Sequence, residues 1–140
     1  MDVPSSPSPL AGVLETVLYF EAGQEDALER FYTDVVGLGF MGRGRTSLGF
    51  RVGPGAVLLL FEAAKSSVQD EPPPHGATGK VHTCFLASGA DDYDAWKERV
   101  AAQVEIVDEI TWDETGLRSF YFDDPAGNVL EIAEGDLWVD

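Results

Sequence analysis

Two glutamates of this chain stand inside segments that are otherwise apolar. Glu15 lies within residues 13–18, and Glu131 lies within residues 129–132. A carboxylate removed from water without a partner is costly, so a buried Glu needs an ion pair, hydrogen bonds or a metal ion. Either residue taken singly is also compatible with an exposed strand face, because strand side chains alternate between two faces.

A histidine occupies the position equivalent to Glu15 in a second, similar segment. Residues 14–20 (LETVLYF) align with residues 81–87 (VHTCFLA), so Glu15 and His82 each come second and are each followed by Thr. A lone His in a strand is more often structural than functional. Its equivalence to Glu15 in an internal repeat makes a shared role for the two side chains the stronger interpretation.

The whole chain is organised as one unit used twice. Each of the two similar strands is followed by an amphipathic helical pattern and then by three strand patterns. The strands are expected near 40–42, 47–52, 56–62, 105–110, 117–123 and 128–134. The pattern predicts an α+β fold with two βαβββ modules, at about 12–63 and 80–135. They are joined by a Pro-rich linker at 64–79 and flanked by tails at 1–11 and 136–140.

Composition narrows the range of partners. The formal net charge is -16, with 25 Asp and Glu against 9 Lys and Arg, so nucleic acid and anionic membranes are poor partners. No apolar run approaches the ~20 residues that span a bilayer, and the N-terminal residues lack a signal-peptide pattern, so a cytoplasmic location is expected. A solvated acidic face or a high-salt host would each explain the acidity. The single cysteine, Cys84, is expected to be a buried, reduced thiol.

Two local motifs carry a family resemblance. Residues 31–38 (FYTDVVGL) and 120–131 (FYFDDPAGNVLE), together with the repeat, resemble the vicinal-oxygen-chelate superfamily of glyoxalases, bleomycin-resistance proteins and extradiol dioxygenases. The resemblance implies that the two modules form curved mixed sheets around a cup. It also implies a homodimer and a divalent-metal site with Glu15, His82 and Glu131 as ligands. Leu59 stands where glyoxalase I proteins have a fourth ligand, a carboxylate.

The ligand set indicates the chemistry that the cup would support. Two carboxylates and one imidazole suit Zn, Ni, Co, Mn or Fe, and three protein ligands leave a position for water or substrate. The resemblance favours a lyase or isomerase of glyoxalase type that acts on a small oxygen-bearing substrate through a metal-stabilised oxyanion or enediolate. Glu15 or Glu131 would act as general base, and Arg118 and Tyr121 are candidate substrate-binding residues.

Two other functions stay open at this point. A metal-free protein of bleomycin-resistance type would bind a drug or another small molecule, and the acidic surface would attract a cationic one. An Fe(II) dioxygenase would need two His and one carboxylate, a triad that Glu15 breaks. His75, in the Pro-rich linker, is expected to be exposed to solvent.

Overall fold

The computed structural model describes residues 7–138, and the predicted tails extend beyond that range at both ends. Its first module contains β1 (Glu15–Phe20), α1 (Glu25–Arg30), β2 (Gly39–Arg43), β3 (Ser47–Val52) and β4 (Ala56–Glu62). A π-helical turn at Phe31–Val35 continues α1, and a short helix, α2 (Ala63–Ser66), follows β4. The second module contains β5 (His82–Leu86), α3 (Ala90–Ala101), β6 (Asp108–Thr111), β7 (Arg118–Asp123) and β8 (Val129–Ala133).

The strands form two four-stranded sheets of identical topology. Sheet 1 has the order β1-β4-β3-β2 and sheet 2 the order β5-β8-β7-β6. In each sheet the first strand runs parallel to the last, and the remaining pairs are antiparallel. The predicted pair of βαβββ modules is therefore confirmed. One strand is shorter than expected, because residues 105–107 lie outside β6 and only Asp108–Thr111 pair with β7.

One face of each sheet packs into a single core shared by both modules. Leu18 and Leu60 of sheet 1 belong to the same buried cluster as Phe120, Phe122 and Leu130 of sheet 2. Phe31 connects the two, since its ring lies 6.1 Å from that of Phe122. Burying these large side chains stabilises the fold by about 1.5–3 kcal/mol each.

Strand alternation places the remaining side chains on the opposite face, which we call the open face of each sheet. On sheet 1 this face carries Glu15, Val17, Tyr19, Ser47, Gly49, Arg51, Val57, Leu59 and Phe61. On sheet 2 it carries His82, Cys84, Leu86, Ser119, Tyr121, Asp123, Val129, Glu131 and Ala133. No helix formed by residues 7–138 is long and apolar enough to cross a membrane.

Candidate functional site

His82 and Glu131 meet on the open face of sheet 2. His82 begins the edge strand β5, and Glu131 lies on the neighbouring strand β8. The His82 Nε2 atom is 3.1 Å from Glu131 Oε1. The imidazole is half exposed, whereas only 7% of the Glu131 side chain is exposed. The structure therefore brings together two residues that are 49 positions apart.

The second nitrogen of His82 fixes the orientation of the ring. Nδ1 lies 2.9 Å from the carbonyl oxygen of Val129. Because a carbonyl only accepts, Nδ1 must carry the proton and donate it. In a neutral imidazole Nε2 then presents a lone pair to Glu131 Oε1, and two acceptors at this distance need a proton or a cation between them.

Glu131 has one oxygen that no protein donor satisfies. Its Oε2 atom is buried and has no hydrogen-bond partner. An unpaired buried carboxylate oxygen is unfavourable, because the solvation that it loses is not replaced. Burial raises the pKa of the neighbouring Tyr121, and the Glu131 carboxylate adds to that rise. Cys84 is exposed as a residue, but partial desolvation around its Sγ atom, and then Glu131, raises the pKa of its thiol to about 12.

Tyr121, a predicted substrate-binding residue, lies beside the pair. Its ring is stacked on that of His82, with 6.1 Å between centroids and 26° between planes. Tyr121 is also the register partner of Glu131 on the antiparallel strand β7. Its role in substrate binding stays a prediction.

Glu15 does not join His82 and Glu131 within one chain. It is exposed on sheet 1, where its register partner is Val57, and it forms no ion pair with His82. Within residues 7–138 of one chain, no three His, Cys, Asp or Glu side chains converge closely enough to hold a metal ion. Leu59 lies on the same open face as Glu15 and offers no ligand atom. The three-residue ligand set therefore stays a prediction.

Arg118 is bound by two carboxylates of its own module. Its guanidinium lies 3.0 Å from Asp94 and 2.7 Å from Glu134, and it packs over the ring of Tyr93. These partners neutralise the charge that an anionic substrate would need. Arg118 remains a predicted substrate-binding residue, but its contacts in the structure are those of a structural ion pair.

Two sequence expectations are wrong. Cys84 is exposed on the open face of sheet 2, because its position in β5 alternates with the inward-facing Thr83 and Phe85. His75 is half-buried, and its Nδ1 atom is 2.7 Å from the hydroxyl of Tyr19.

The segment around His75 is held over the open face of sheet 1. The ring of His75 meets that of Phe61 edge-on, 4.7 Å between centroids. Ser66 fixes the backbone, since its hydroxyl donates to the His75 carbonyl at 2.8 Å and its carbonyl accepts from the His75 N–H at 3.1 Å. No local sequence signal indicates this contact, because Tyr19 and His75 are 56 positions apart.

Comparison with known proteins agrees with the observed fold. Residues 22–132 match the family model described as the glyoxalase/bleomycin resistance protein/dioxygenase superfamily. The chain belongs to this superfamily. A solved structure described as lactoylglutathione lyase from Agrobacterium tumefaciens is 37% identical, with a TM-score of 0.85, and the match covers 95% of this chain and 100% of that one.

More distant solved structures show the fold alone. A glyoxalase/bleomycin resistance protein/dioxygenase from Nocardioides is 22% identical with a TM-score of 0.69, covering 97% of this chain and 89% of that one. An integron cassette protein from Vibrio cholerae is 21% identical with a TM-score of 0.69, covering 91% and 98%. No curated protein matches the chain. The superfamily match begins at residue 22, so it contains His82 and Glu131 but not Glu15.

The His82–Glu131 pair fits a divalent ion of the kind that members of this superfamily bind. Ligand atoms about 2.0–2.2 Å from one ion lie roughly 3.0–3.5 Å apart at ordinary coordination angles, and the observed N···O distance is 3.1 Å. The Nδ1 donation to Val129 is the outer contact that orients metal-binding imidazoles.

Proposed function

We propose that this protein is a divalent-metal-dependent lyase or isomerase of glyoxalase type, with His82 and Glu131 as the central metal ligands. One observation carries the proposal. The Nε2 atom of His82 faces a carboxylate oxygen of Glu131 at 3.1 Å, in a ring whose other nitrogen lies 2.9 Å from a backbone carbonyl oxygen. Similarity to a lactoylglutathione lyase across the whole chain supports the reaction class.

A second copy of the chain would supply the third ligand, Glu15. The two open faces lie away from the shared core, so Glu15 does not meet His82 and Glu131 within one chain. β1 and β5 are both edge strands, and edge strands offer unpaired backbone groups to a partner. Apolar side chains are exposed there as well: Leu14 precedes β1 at 68% and Leu86 ends β5 at 69%. We therefore propose a homodimer in which β1 of one copy lies beside β5 of the other.

Each residue of the proposed site would have a different role in the reaction. A divalent ion at this site would polarise substrate oxygens and stabilise negative charge that develops on them. Glu131, held by the sheet and almost fully buried, would fix the position of the ion. Glu15, exposed at the start of an edge strand, has the freedom to accept a proton from substrate carbon and to return it to the adjacent carbon. Tyr121 would support a substrate oxygen beside the His82 ring.

The test combines metal analysis with activity. We expect the purified protein to bind about one divalent ion per chain and to convert the hemithioacetal of methylglyoxal and glutathione into S-lactoylglutathione. Glu131→Gln and His82→Ala should each lose the metal. The control variants Glu21→Gln and Glu105→Gln, which replace exposed glutamates elsewhere, should keep it. Stoichiometric metal in both site variants would reject the site.

Mixing variants tests the second copy. Glu15→Gln and His82→Ala each damage both sites of a homodimer, but a heterodimer of the two has one intact site. Random exchange of subunits should therefore restore activity at about a quarter of the sites. No recovery on mixing, with exchange verified by mass-tagged subunits, would show that Glu15 does not act across the dimer.

A metal-free binding protein is the second candidate. The observation that favours it is the apolar centre of the open face of sheet 1, where Val17, Leu59 and Gly49 lie in one row. Such a surface binds apolar parts of small molecules without any metal. Elemental analysis after purification at neutral pH separates the two functions, because the binding protein would carry no stoichiometric metal.

A further inference from the structure

The residues before β1 carry apolar side chains that the rest of the chain leaves exposed. Residues 7–14 (PSPLAGVL), which we call the N-terminal arm, belong to no helix or strand. Leu10 is 97% exposed, Val13 75% and Leu14 68%. The Val57 N–H donates to the Leu14 carbonyl and so fixes the end of the arm next to β1. Exposed apolar side chains clustered in one segment are typical of a surface that a partner covers.

The N-terminal arm also carries no charge. No charged residue stands between Asp2 and Glu15, whereas the whole chain has a net charge of -16. Two copies of so acidic a chain repel each other, and the repulsion is weakest where neither surface carries carboxylates. The arm is therefore a segment that can approach a second copy at small electrostatic cost.

A cleft between the two modules matches the arm in polarity. This cavity, which we call the module cleft, has a volume of about 470 Å³ and lies on the core side of the sheets. Among the described residues that line it, none is acidic and Arg51 alone is charged. The end of β5 forms one wall, where Phe85, Ala87 and Ser88 line the cleft. Further apolar walls come from Val36, Leu38, Val52, Trp96 and Ile132.

The proposed homodimer determines the direction of the arm. β1 and β5 are the same edge of two sheets with the same strand order. Bringing these edges together with both open faces on one side requires a half-turn in the plane of the sheet, so the two strands run antiparallel. With Glu15 opposite His82, the residues before Glu15 then lie beside the residues after His82. Leu10, five positions before Glu15, is level with Ala87, five positions after His82, at the wall of the module cleft.

Strand alternation directs two leucines of the arm toward the cleft. In β1 the buried Leu18 faces the core, whereas Glu15 lies on the open face. Because side chains alternate along an extended chain, Leu14 and Leu10 continue the core side. Phe85 of the second copy faces the same side of the joined sheets. Leu10 is therefore aimed at the module cleft and away from the metal ligands.

We infer that the N-terminal arm of one copy lies across β5 of a second copy and inserts Leu10 into the module cleft of that copy. In a two-fold dimer the exchange is reciprocal, so two arms and two clefts are engaged. The inference rests on the proposed function for the pairing of β1 with β5. It assigns to the opposite side of the sheets a contact that no metal ligand makes.

Disulfide cross-linking tests the position of the arm. In a Cys84→Ser background, Leu10→Cys is combined with Ser88→Cys, and the protein is oxidised mildly. We expect a covalent dimer, because a disulfide needs Cα atoms within about 7 Å and the arm supplies that proximity only between copies. Leu10→Cys with Val68→Cys, at a site that is 78% exposed elsewhere, is the matched control and should stay uncrosslinked. Leu10→Cys with Thr78→Cys tests the residues before β5 and should stay uncrosslinked too.

Dimer dissociation supplies a second measurement. Burial of one Leu side chain favours the bound state on the order of ten- to hundredfold, and both arms lose it together. Leu10→Ser should therefore raise the dimer Kd at least about a hundredfold in analytical ultracentrifugation, whereas Val68→Ser should leave it unchanged. Because Leu10 is exposed within one chain, the substitution does not threaten folding.

The inference is overturned by a wild type that stays monomeric, by an equal Kd in Leu10→Ser and the wild type, or by no cross-link to Ser88→Cys. A disulfide within one chain, or a cross-link as efficient to Val68→Cys or Thr78→Cys, overturns it as well. Metal content is measured on the wild type. Stoichiometric metal without the Leu10 cross-link would reject the arm contact alone, whereas the cross-link in a protein that binds no metal would reject the metal-dependent function alone.

Discussion

The hydroxyl of Tyr32 donates a 2.6 Å hydrogen bond to Oδ2 of Asp124, 92 positions away and in the other module. Tyr32 belongs to the FY segment after the first helix, and Asp124 belongs to the DDPAGN turn between β7 and β8. Asp124 also accepts from the backbone N–H groups of Ala126 and Asn128. The two motifs that carry the family resemblance are therefore one buried structure that ties the modules together.

Removing the hydroxyl group of Tyr32 should weaken the junction between the two modules. Tyr32→Phe keeps the ring, which is fully buried, and removes only the donor to Asp124. We expect a loss of about 1.5–3 kcal/mol in the free energy of unfolding, because the bond is buried and its acceptor is charged. Urea unfolding, monitored by tryptophan fluorescence, measures this loss of stability. Tyr19→Phe serves as the comparison, because it removes the hydroxyl group of a half-buried tyrosine. An unchanged midpoint in Tyr32→Phe would contradict the prediction.

Metal addition should stabilise the protein, and Glu131 should be required for it. An ion present at a hundred times its dissociation constant stabilises the folded state by about 2.7 kcal/mol. Without metal, Glu131→Gln should unfold at or above the wild-type temperature, because it removes a buried charge that has an unpaired oxygen. Differential scanning calorimetry with and without Zn²⁺ or Ni²⁺ checks both statements. If metal raised the melting temperature of Glu131→Gln as much as that of the wild type, the ion would bind elsewhere.

The Arg118–Glu134 pair should contribute to stability at neutral pH and should lose that contribution in acid. Hydrogen bonding to the Arg118 side chain, and then to its backbone N–H, lowers the pKa of Glu134 below the ordinary 4.5. A carboxyl whose pKa is lower in the folded state stabilises that state above its unfolded pKa, and the contribution is lost as pH falls through the folded pKa.

Glu134→Gln should therefore reduce stability at pH 6–7, and the difference from the wild type should shrink as the pH falls below about 4.5. Glu105→Gln, at an exposed position, serves as the control. Unfolding free energies at several pH values test this. The assigned cause would be contradicted if the difference in unfolding free energy between wild type and variant stayed constant from pH 7 to the acid limit.

The segment around His75 should depend on that side chain for its order. His75→Ala removes the hydrogen bond to Tyr19 and the edge-on contact with Phe61. We expect residues 67–79 to exchange amide hydrogens and to be cleaved by protease about tenfold faster, because their opening free energy falls by about 1.4 kcal/mol. Val68→Ala, which shortens a side chain that is 78% exposed, should leave both rates unchanged. Equal protection in the two variants would show that the backbone bonds to Ser66 suffice.

The sequence by itself determined the fold and pointed to the residues of the proposed site. Repeated strands with alternating faces, helical periodicity and the turn motifs predicted two βαβββ modules, because these signals are local and recur at equivalent positions. The family resemblance, and not the polarity pattern alone, implied that His82 and Glu131 would meet. In the structure they do so because β5 and β8 are neighbours in the sheet.

Tertiary structure decided the features that depend on distant neighbours. The shared core directs the open faces away from each other, which separates Glu15 from His82 and makes a second copy necessary for the proposed three-ligand site. Whether a basic side chain is neutralised depends on carboxylates that folding brings near, as Asp94 and Glu134 are brought to Arg118. The contact of His75 with Tyr19 has the same origin. Each of these properties is a relation between surfaces, and local patterns of polarity do not encode such relations.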